Sequence, residues 1–385
     1  MVGISRREAL GGLASAVALP EAAAGRSTPS IRLRKIATEE AFMVPEFVEP
    51  MRAVLAKGGP SLDLPLLKLL YERRSPTAPA PPPGSRDASA LQLLPKLLDI
   101  GASRLAEMDA NGVDMHILSI AMPGPQMFEA AEATSLARVA NDRLRSAIDA
   151  NPKRFAGLAC FAPQDPSAAA REMERAMTAL KLNGFIVNSH TDNLYLDDER
   201  FAPILEAAEA LDAPLYIHPR APSDGMAAPF RDYRLEGATW GYGVEVATHV
   251  LRLMMSGTLD RFPKLKIVVG HMGEALPFWL WRLDFMAQPG SRAGRKNKLT
   301  PSEYMARNIW ITTSGVEDPA ALRFCIDKLG ADRIMWAIDH PFQPTPPAVR
   351  FIETAPLSDS ERARIAHRNA EILFKIDPAG LSHPG

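Results

Sequence analysis

Six polar residues stand at or just after the ends of short, β-branched runs: Glu39, Asn188, His218, His271, Ser314 and Asp339. Neutral imidazole and carboxylate are donors suited to a divalent ion such as Zn²⁺ or Mn²⁺. Glu39, His218 and Asp339 make a three-ligand set that leaves positions open for water or substrate. Their distance in sequence is no obstacle, provided that a fold gathers strand ends at one rim.

The elements between them supply such a fold. Candidate strands are RKIAT (34–38), DMHILSI (114–120), FAGLACF (155–161), GFIVN (184–188), PLYIH (214–218), LKIVVG (265–270), IWITT (309–313) and IMWAID (334–339), eight in all. Helical patterns with apolar residues three and four apart separate them, as in EATSLARVANDRLRSAIDA, PSAAAREMERAMTALKL and DERFAPILEAAEALD. Alternating strands and helices require parallel pairing, and eight such units point to an α/β (β/α)8 TIM barrel of the metal-dependent hydrolase type. Functional groups in that fold project from the carboxyl ends of the strands, where these six residues lie. An open doubly wound sheet is the alternative, weakened because no Gly-x-Gly-x-x-Gly turn follows the first strand.

Two segments interrupt the pattern. RSPTAPAPPPGSRD, Arg74 to Asp87, reads as an extended, solvent-facing Pro-rich insertion, placed to cover the barrel mouth. The connection from His218 to about Leu265 begins irregularly and becomes helical at VEVATHVLRLMMSG; loops of this length are usually functional. No second domain with its own core is evident in the barrel region, residues 28–385.

Residues 1–27 read differently. Ser5-Arg6-Arg7, an apolar small-residue run from Ala9 to Leu19, and Ala22-Ala23-Ala24 follow in the order of a twin-arginine export signal with a cleavage site. The run is too short and too rich in Gly and Ala to anchor as a membrane span. Periplasmic export is therefore expected, with cytoplasmic retention the alternative. A net charge of −1 and the lack of any like-charge block argue against nucleic-acid partners. The two cysteines, Cys160 and Cys325, sit in apolar patterns and read as unpaired core residues.

In combination, the motifs KIATEEAF, RLAEMDANGVDMHILS, PGPQ, YIHPR, HVLRLMMSG, FPKLKIVVGHMGEALPF, NIWITTSG, DRIMWAIDHPF and RNAEILFKID resemble one group within the amidohydrolase superfamily. It comprises the non-oxidative aromatic acid decarboxylases related to aminocarboxymuconate semialdehyde decarboxylase, among them the γ-resorcylate, 2,3-dihydroxybenzoate and salicylate enzymes. The resemblance implies a (β/α)8 barrel, one divalent metal ion and a small aromatic acid with a phenol beside its carboxylate. It assigns the metal to Glu39, His218 and Asp339, the chemistry to Asp339, His271 and Glu274, and substrate contacts to Arg282 and Arg104. It further implies a homo-oligomer, dimer or tetramer. Some members carry a His where this chain has Ala41; a site poorer in nitrogen leaves Zn, Mn and Mg all in play and favours the latter two. The reaction expected is decarboxylation of an ortho-hydroxylated aromatic acid, with lactone or ester hydrolysis, or hydration, the alternative on the same scaffold.

Overall fold

A computed structural model describes residues 32–59, 61–72 and 86–377. The leader-like segment and most of the Pro-rich stretch, Arg74 onward, lie outside the described residues. Eight strands form a single parallel sheet in sequential order: β1 (Ile36–Phe42), β2 (Met115–Ile120), β3 (Phe155–Cys160), β4 (Gly184–Asn188), β5 (Leu215–His218), β6 (Ile267–Val269), β7 (Ile309–Thr312) and β8 (Ile334–Met335). Backbone bonds from Thr38 N to Trp336 O (3.2 Å) and from Ala41 N to His340 O (2.8 Å) tie the last strand region back to the first. The expected barrel is therefore present.

The helices are α1 (Val48–Lys57), α2 (Leu64–Tyr71), α3 (Arg86–Leu98), α4 (Ala102–Ala110), α5 (Ala130–Ala150), α6 (Pro166–Thr178), α7 (Ala202–Ala210), α8 (Gly241–Met255), α9 (Leu276–Met286), α10 (Pro301–Asn308), α11 (Pro319–Leu329) and α12 (Thr345–Thr354), with shorter turns between them. Strand residues are buried almost throughout, because a parallel barrel is covered by helices outside and filled by side chains inside. That is why the strands read as apolar runs rather than as alternating patterns. Cys160 and Cys325 are buried and free.

Three sequence expectations need correction. The first strand does not stop at Thr38 but continues to Phe42, so Glu39, Glu40 and Ala41 belong to the strand itself. The eighth is regular only over Ile334–Met335, and Trp336 to Asp339 leave the ladder. The proposed extended insertion ends sooner than Asp87, since helix α3 begins at Arg86 and continues through Leu98.

β1 also carries a bulge. Ala37 pairs with His116 and Glu40 with Leu118, so three steps on β1 match two on β2. The extra residue falls at Thr38–Glu39 and re-aims the side chains that follow, a device common beside functional sites.

Candidate metal centre and active site

Glu39, His218 and Asp339 each offer a ligand atom, and these atoms lie within 4.8 Å of one another. They come from β1, the end of β5 and the segment after β8, which the closed sheet brings to one rim. The three strand-end residues chosen from sequence thus meet in space.

Glu39 is held asymmetrically. Its Oε2 accepts hydrogen bonds from the hydroxyls of Tyr216, Ser314 and Thr312, the last at 3.0 Å. Its Oε1 is buried and has no hydrogen-bond partner among the described residues. His218 Nε2 lies 3.4 Å from that oxygen and His271 Nε2 3.8 Å from it. His218 Nδ1 is 2.8 Å from the Pro219 carbonyl, which can only accept, so Nδ1 carries the proton and a neutral ring turns its Nε2 lone pair toward Glu39. Burial keeps that imidazole below its ordinary pKa, against the pull of Glu39. Two electron-rich atoms that converge with no proton between them suit a cation.

Gly270 makes the approach possible. A Cβ there would come within 3.0 and 3.1 Å of the two Glu39 oxygens and within 3.1 Å of the Tyr216 hydroxyl. The chain then passes through five consecutive residues with positive φ, His271 to Ala275, of which only Gly273 is glycine. Left-handed backbone costs a non-glycine residue about 1–2 kcal/mol, and such strain collects at functional sites. The turn brings His271 Nδ1 within 2.7 Å of Glu274 Oε1, so that Glu274 orients the ring.

The charges sort accordingly. Burial opposes ionisation of Glu39, yet His271, His218 and the hydroxyl donors hold its carboxyl below the usual range. Burial, reinforced by Glu39, pushes Asp339 well above it. For His271, burial is outweighed by Glu274, Glu39 and Asp339, which raise the imidazolium to about 10.

The two arginines do not join this set. Arg104 is buried behind β1, where its Nε donates to Asp99 O (2.9 Å) and its Nη2 to Ala41 O (2.7 Å) and Lys96 O (3.2 Å). These bonds brace backbone, while its Nη1 is buried without a hydrogen-bond partner among the described residues. Arg282 lies on the exposed face of α9, among Phe278, Trp279, Trp281 and Phe285, all more than half exposed. His190, at the end of the fourth unit, uses both ring nitrogens on backbone, at Ala221 O (3.1 Å) and Asn193 N (3.3 Å).

Sequence reading assigned no role to Tyr216 or Thr312 and noted Ser314 only as a strand end. Alternation carries the missing signal: Tyr216 is two residues before His218 on β5, and Thr312 two before Ser314, so each pair faces the same side.

Comparison with known proteins agrees with this geometry. Residues 95–376 match the Amidohydrolase family model, and the chain belongs to that family. Within it, the chain is 38% identical over 297 residues to a gamma-resorcylate decarboxylase of Polaromonas sp., covering 74% of this chain and 90% of the relative. The crystal structure of 5-carboxyvanillate decarboxylase LigW from Sphingomonas paucimobilis superposes with a TM-score of 0.84 at 50% identity, covering 90% of this chain and all of that one. A second 5-carboxyvanillate decarboxylase, from Novosphingobium aromaticivorans, was crystallised with manganese and 4-hydroxy-3-methoxy-5-nitrobenzoic acid. It matches with a TM-score of 0.83 at 39% identity, over 89% of this chain and 96% of that one.

Proposed function

We propose that this protein is a divalent-metal-dependent, non-oxidative decarboxylase of an ortho-hydroxylated aromatic acid. The observation that carries the reading is the buried Glu39 Oε1, without a hydrogen-bond partner among the described residues, facing His218 Nε2, with Asp339 in the same cluster. Glu39, His218 and Asp339 would hold the ion, and manganese is the first choice because an oxygen-rich donor set suits it and a similar protein carries it. When bound, the ion supplies positive charge that gathers the phenolate and carboxylate oxygens of the substrate and stabilises negative charge developing on oxygen.

The chain's own groups do the rest. Asp339 passes a proton from its carboxyl to the ring carbon that bears the substrate carboxylate; with no ion bound, burial and Glu39 raise that carboxyl above its ordinary range. That carbon becomes tetrahedral; the bond to the carboxylate then breaks, carbon dioxide leaves, and the electron pair restores the aromatic ring. His271, oriented by Glu274, offers a positive donor to substrate oxygens at the same rim.

The substrate we favour is 5-carboxyvanillate, in which a phenol stands beside the departing carboxylate. The 50% identity to a protein of that specificity supports it. A dimer built on the exposed aromatic face of α9 is also proposed, since four large aromatic side chains are left more than half exposed there. The Arg6-Arg7 leader supports export, to be checked by fractionation of the wild type against a variant with Arg6→Lys and Arg7→Lys.

The test is a panel on manganese-loaded protein. 5-Carboxyvanillate, 2,6-dihydroxybenzoate, 2,3-dihydroxybenzoate and salicylate are compared with their ortho-methoxy analogues and with a lactone. Carbon dioxide release from a free ortho-phenol and none from its methyl ether is the expected pattern. Lactone hydrolysis without carbon dioxide release from any acid overturns the reading.

A further inference from the structure

Glu40 is fully buried, and the site as described does not use it. Its Oε1 accepts from the backbone N–H of Ile338 at 3.0 Å, and its Oε2 from that of His340 at 3.1 Å. The two amides flank Asp339 on either side. One residue further along β1, Ala41 N donates to His340 O at 2.8 Å. Three backbone atoms around Asp339 are thus fixed from two adjacent residues of β1.

This bracing lies past the regular ladder: pairing on β8 ends at Met335, and beyond it the Ala41 N–H to His340 O bond is a backbone link to β1. Asp339 sits there with φ of 73°, in the left-handed region that a non-glycine residue keeps only when its surroundings over-determine it. A carboxylate has two acceptor oxygens and can satisfy both amides at once. Glutamine has one, and its amide group would set N–H against N–H at the other. Aspartate is one methylene shorter.

We propose that Glu40 is a positioning residue that clamps the Ile338–His340 segment and so aims the Asp339 carboxylate into the metal cluster. The bulge at Thr38–Glu39 gives the two neighbouring glutamates different tasks, Glu39 as ligand and Glu40 as the clamp of another ligand. The inference rests on the reading of Asp339 as a metal ligand.

The experiment is calorimetric titration of Mn²⁺ into the purified full chain. It compares wild type, Glu40→Ala, Glu40→Gln, Asp339→Asn and the double variant Glu40→Gln/Asp339→Asn, with circular dichroism confirming the fold of each. Loss of one clamping bond is expected to weaken Mn²⁺ binding by about 10- to 100-fold, the usual effect of removing a group that orients a ligand. In the Asp339→Asn background the same change should alter affinity by less than about threefold, because a residue that acts through Asp339 has nothing left to position. Should Glu40→Ala not fold, the near-isosteric Glu40→Gln decides. Wild-type affinity in Glu40→Gln, or losses that multiply in the double variant, overturns the clamp alone. A wild type that binds no Mn²⁺ overturns the metal reading, and the clamp falls with it.

Discussion

His218 Nε2 and Glu39 Oε1 face each other across 3.4 Å, while the imidazole N–H is turned away to the Pro219 carbonyl. Lone pair meets lone pair inside a buried site. Glu39→Gln would replace the carboxylate with a group able to donate to His218, and satisfy the pair without a cation. The variant should stay folded and lose at least about 100-fold in Mn²⁺ affinity by calorimetry, since a ligand and its charge are both removed.

The hydroxyls on Glu39 Oε2 act one step back. Ser314 Oγ donates to Oε2 and also accepts from His271 N at 3.1 Å, so it links Glu39 to the strained turn. Ser314→Ala should lower metal affinity or kcat by about 10-fold or more, as loss of an outer partner does elsewhere. Tyr216→Phe should act in the same direction. Unaltered metal affinity and turnover in both variants would remove these hydroxyls from the account.

A buried ion pair secures the segment before α2 against the loop after β5. Asp63 Oδ2 accepts from Arg220 Nη2 and Nε, the latter at 3.1 Å, and Asp63 Oδ1 accepts from Ala221 N at 3.1 Å. Leu62 packs beside them on Ala221 and Ala227. Asp63→Asn leaves a guanidinium buried with its counter-charge gone and should cost about 3–5 kcal/mol of unfolding free energy in urea. A change under about 1 kcal/mol would show that water reaches Arg220.

Acid sensitivity has a definite source in His249. Burial holds its imidazole down to about 3. Leu196 N donates to Nε2 at 3.0 Å, so the ring proton is on Nδ1, which points to Ser189 Oγ at 3.1 Å. Below an unfolded-state pKa near 6.5 the unfolded chain takes up a proton that the folded chain refuses. Stability present above pH 6.5 is therefore lost progressively as pH falls from 6.5 toward about 3. By pH 5 the loss is of order 2 kcal/mol, at about 1.4 kcal/mol per pH unit. In urea melts at pH 7 and pH 5, His249→Gln should lack this component of the wild type's decline; an equal decline in both proteins would contradict the assignment.

The barrel and the Glu39, His218 and Asp339 cluster were legible because each rests on a local pattern. Eight apolar runs of strand length alternate with helical periods, and a polar residue closes most of them. What stayed hidden depends on register. The bulge that separates Glu39 from Glu40 leaves no mark in residue type, so both looked like residues beyond a strand that in fact contains them. Arg104 shows a related limit: an arginine near a site suits substrate and backbone carbonyls alike, and its bonds to the Asp99, Lys96 and Ala41 carbonyls come from tertiary packing that residue type does not encode. Arg282 lies on an outer helix face that apolar spacing alone would have turned inward, because α9 is apolar on nearly every side.

The central claim is that Asp339 protonates the ring carbon of an ortho-hydroxy aromatic acid at this rim and releases its carboxylate as carbon dioxide. Its most direct test is a ¹³C NMR time course on manganese-loaded protein with 5-carboxyvanillate labelled in the departing carboxylate, run in D₂O. The account predicts labelled carbon dioxide and bicarbonate in step with a product bearing one deuterium at the vacated ring carbon, and neither with Asp339→Asn. Wild-type turnover by Asp339→Asn, or a labelled carboxylate that stays on the ring while Mn²⁺ is bound to the wild type, would contradict it.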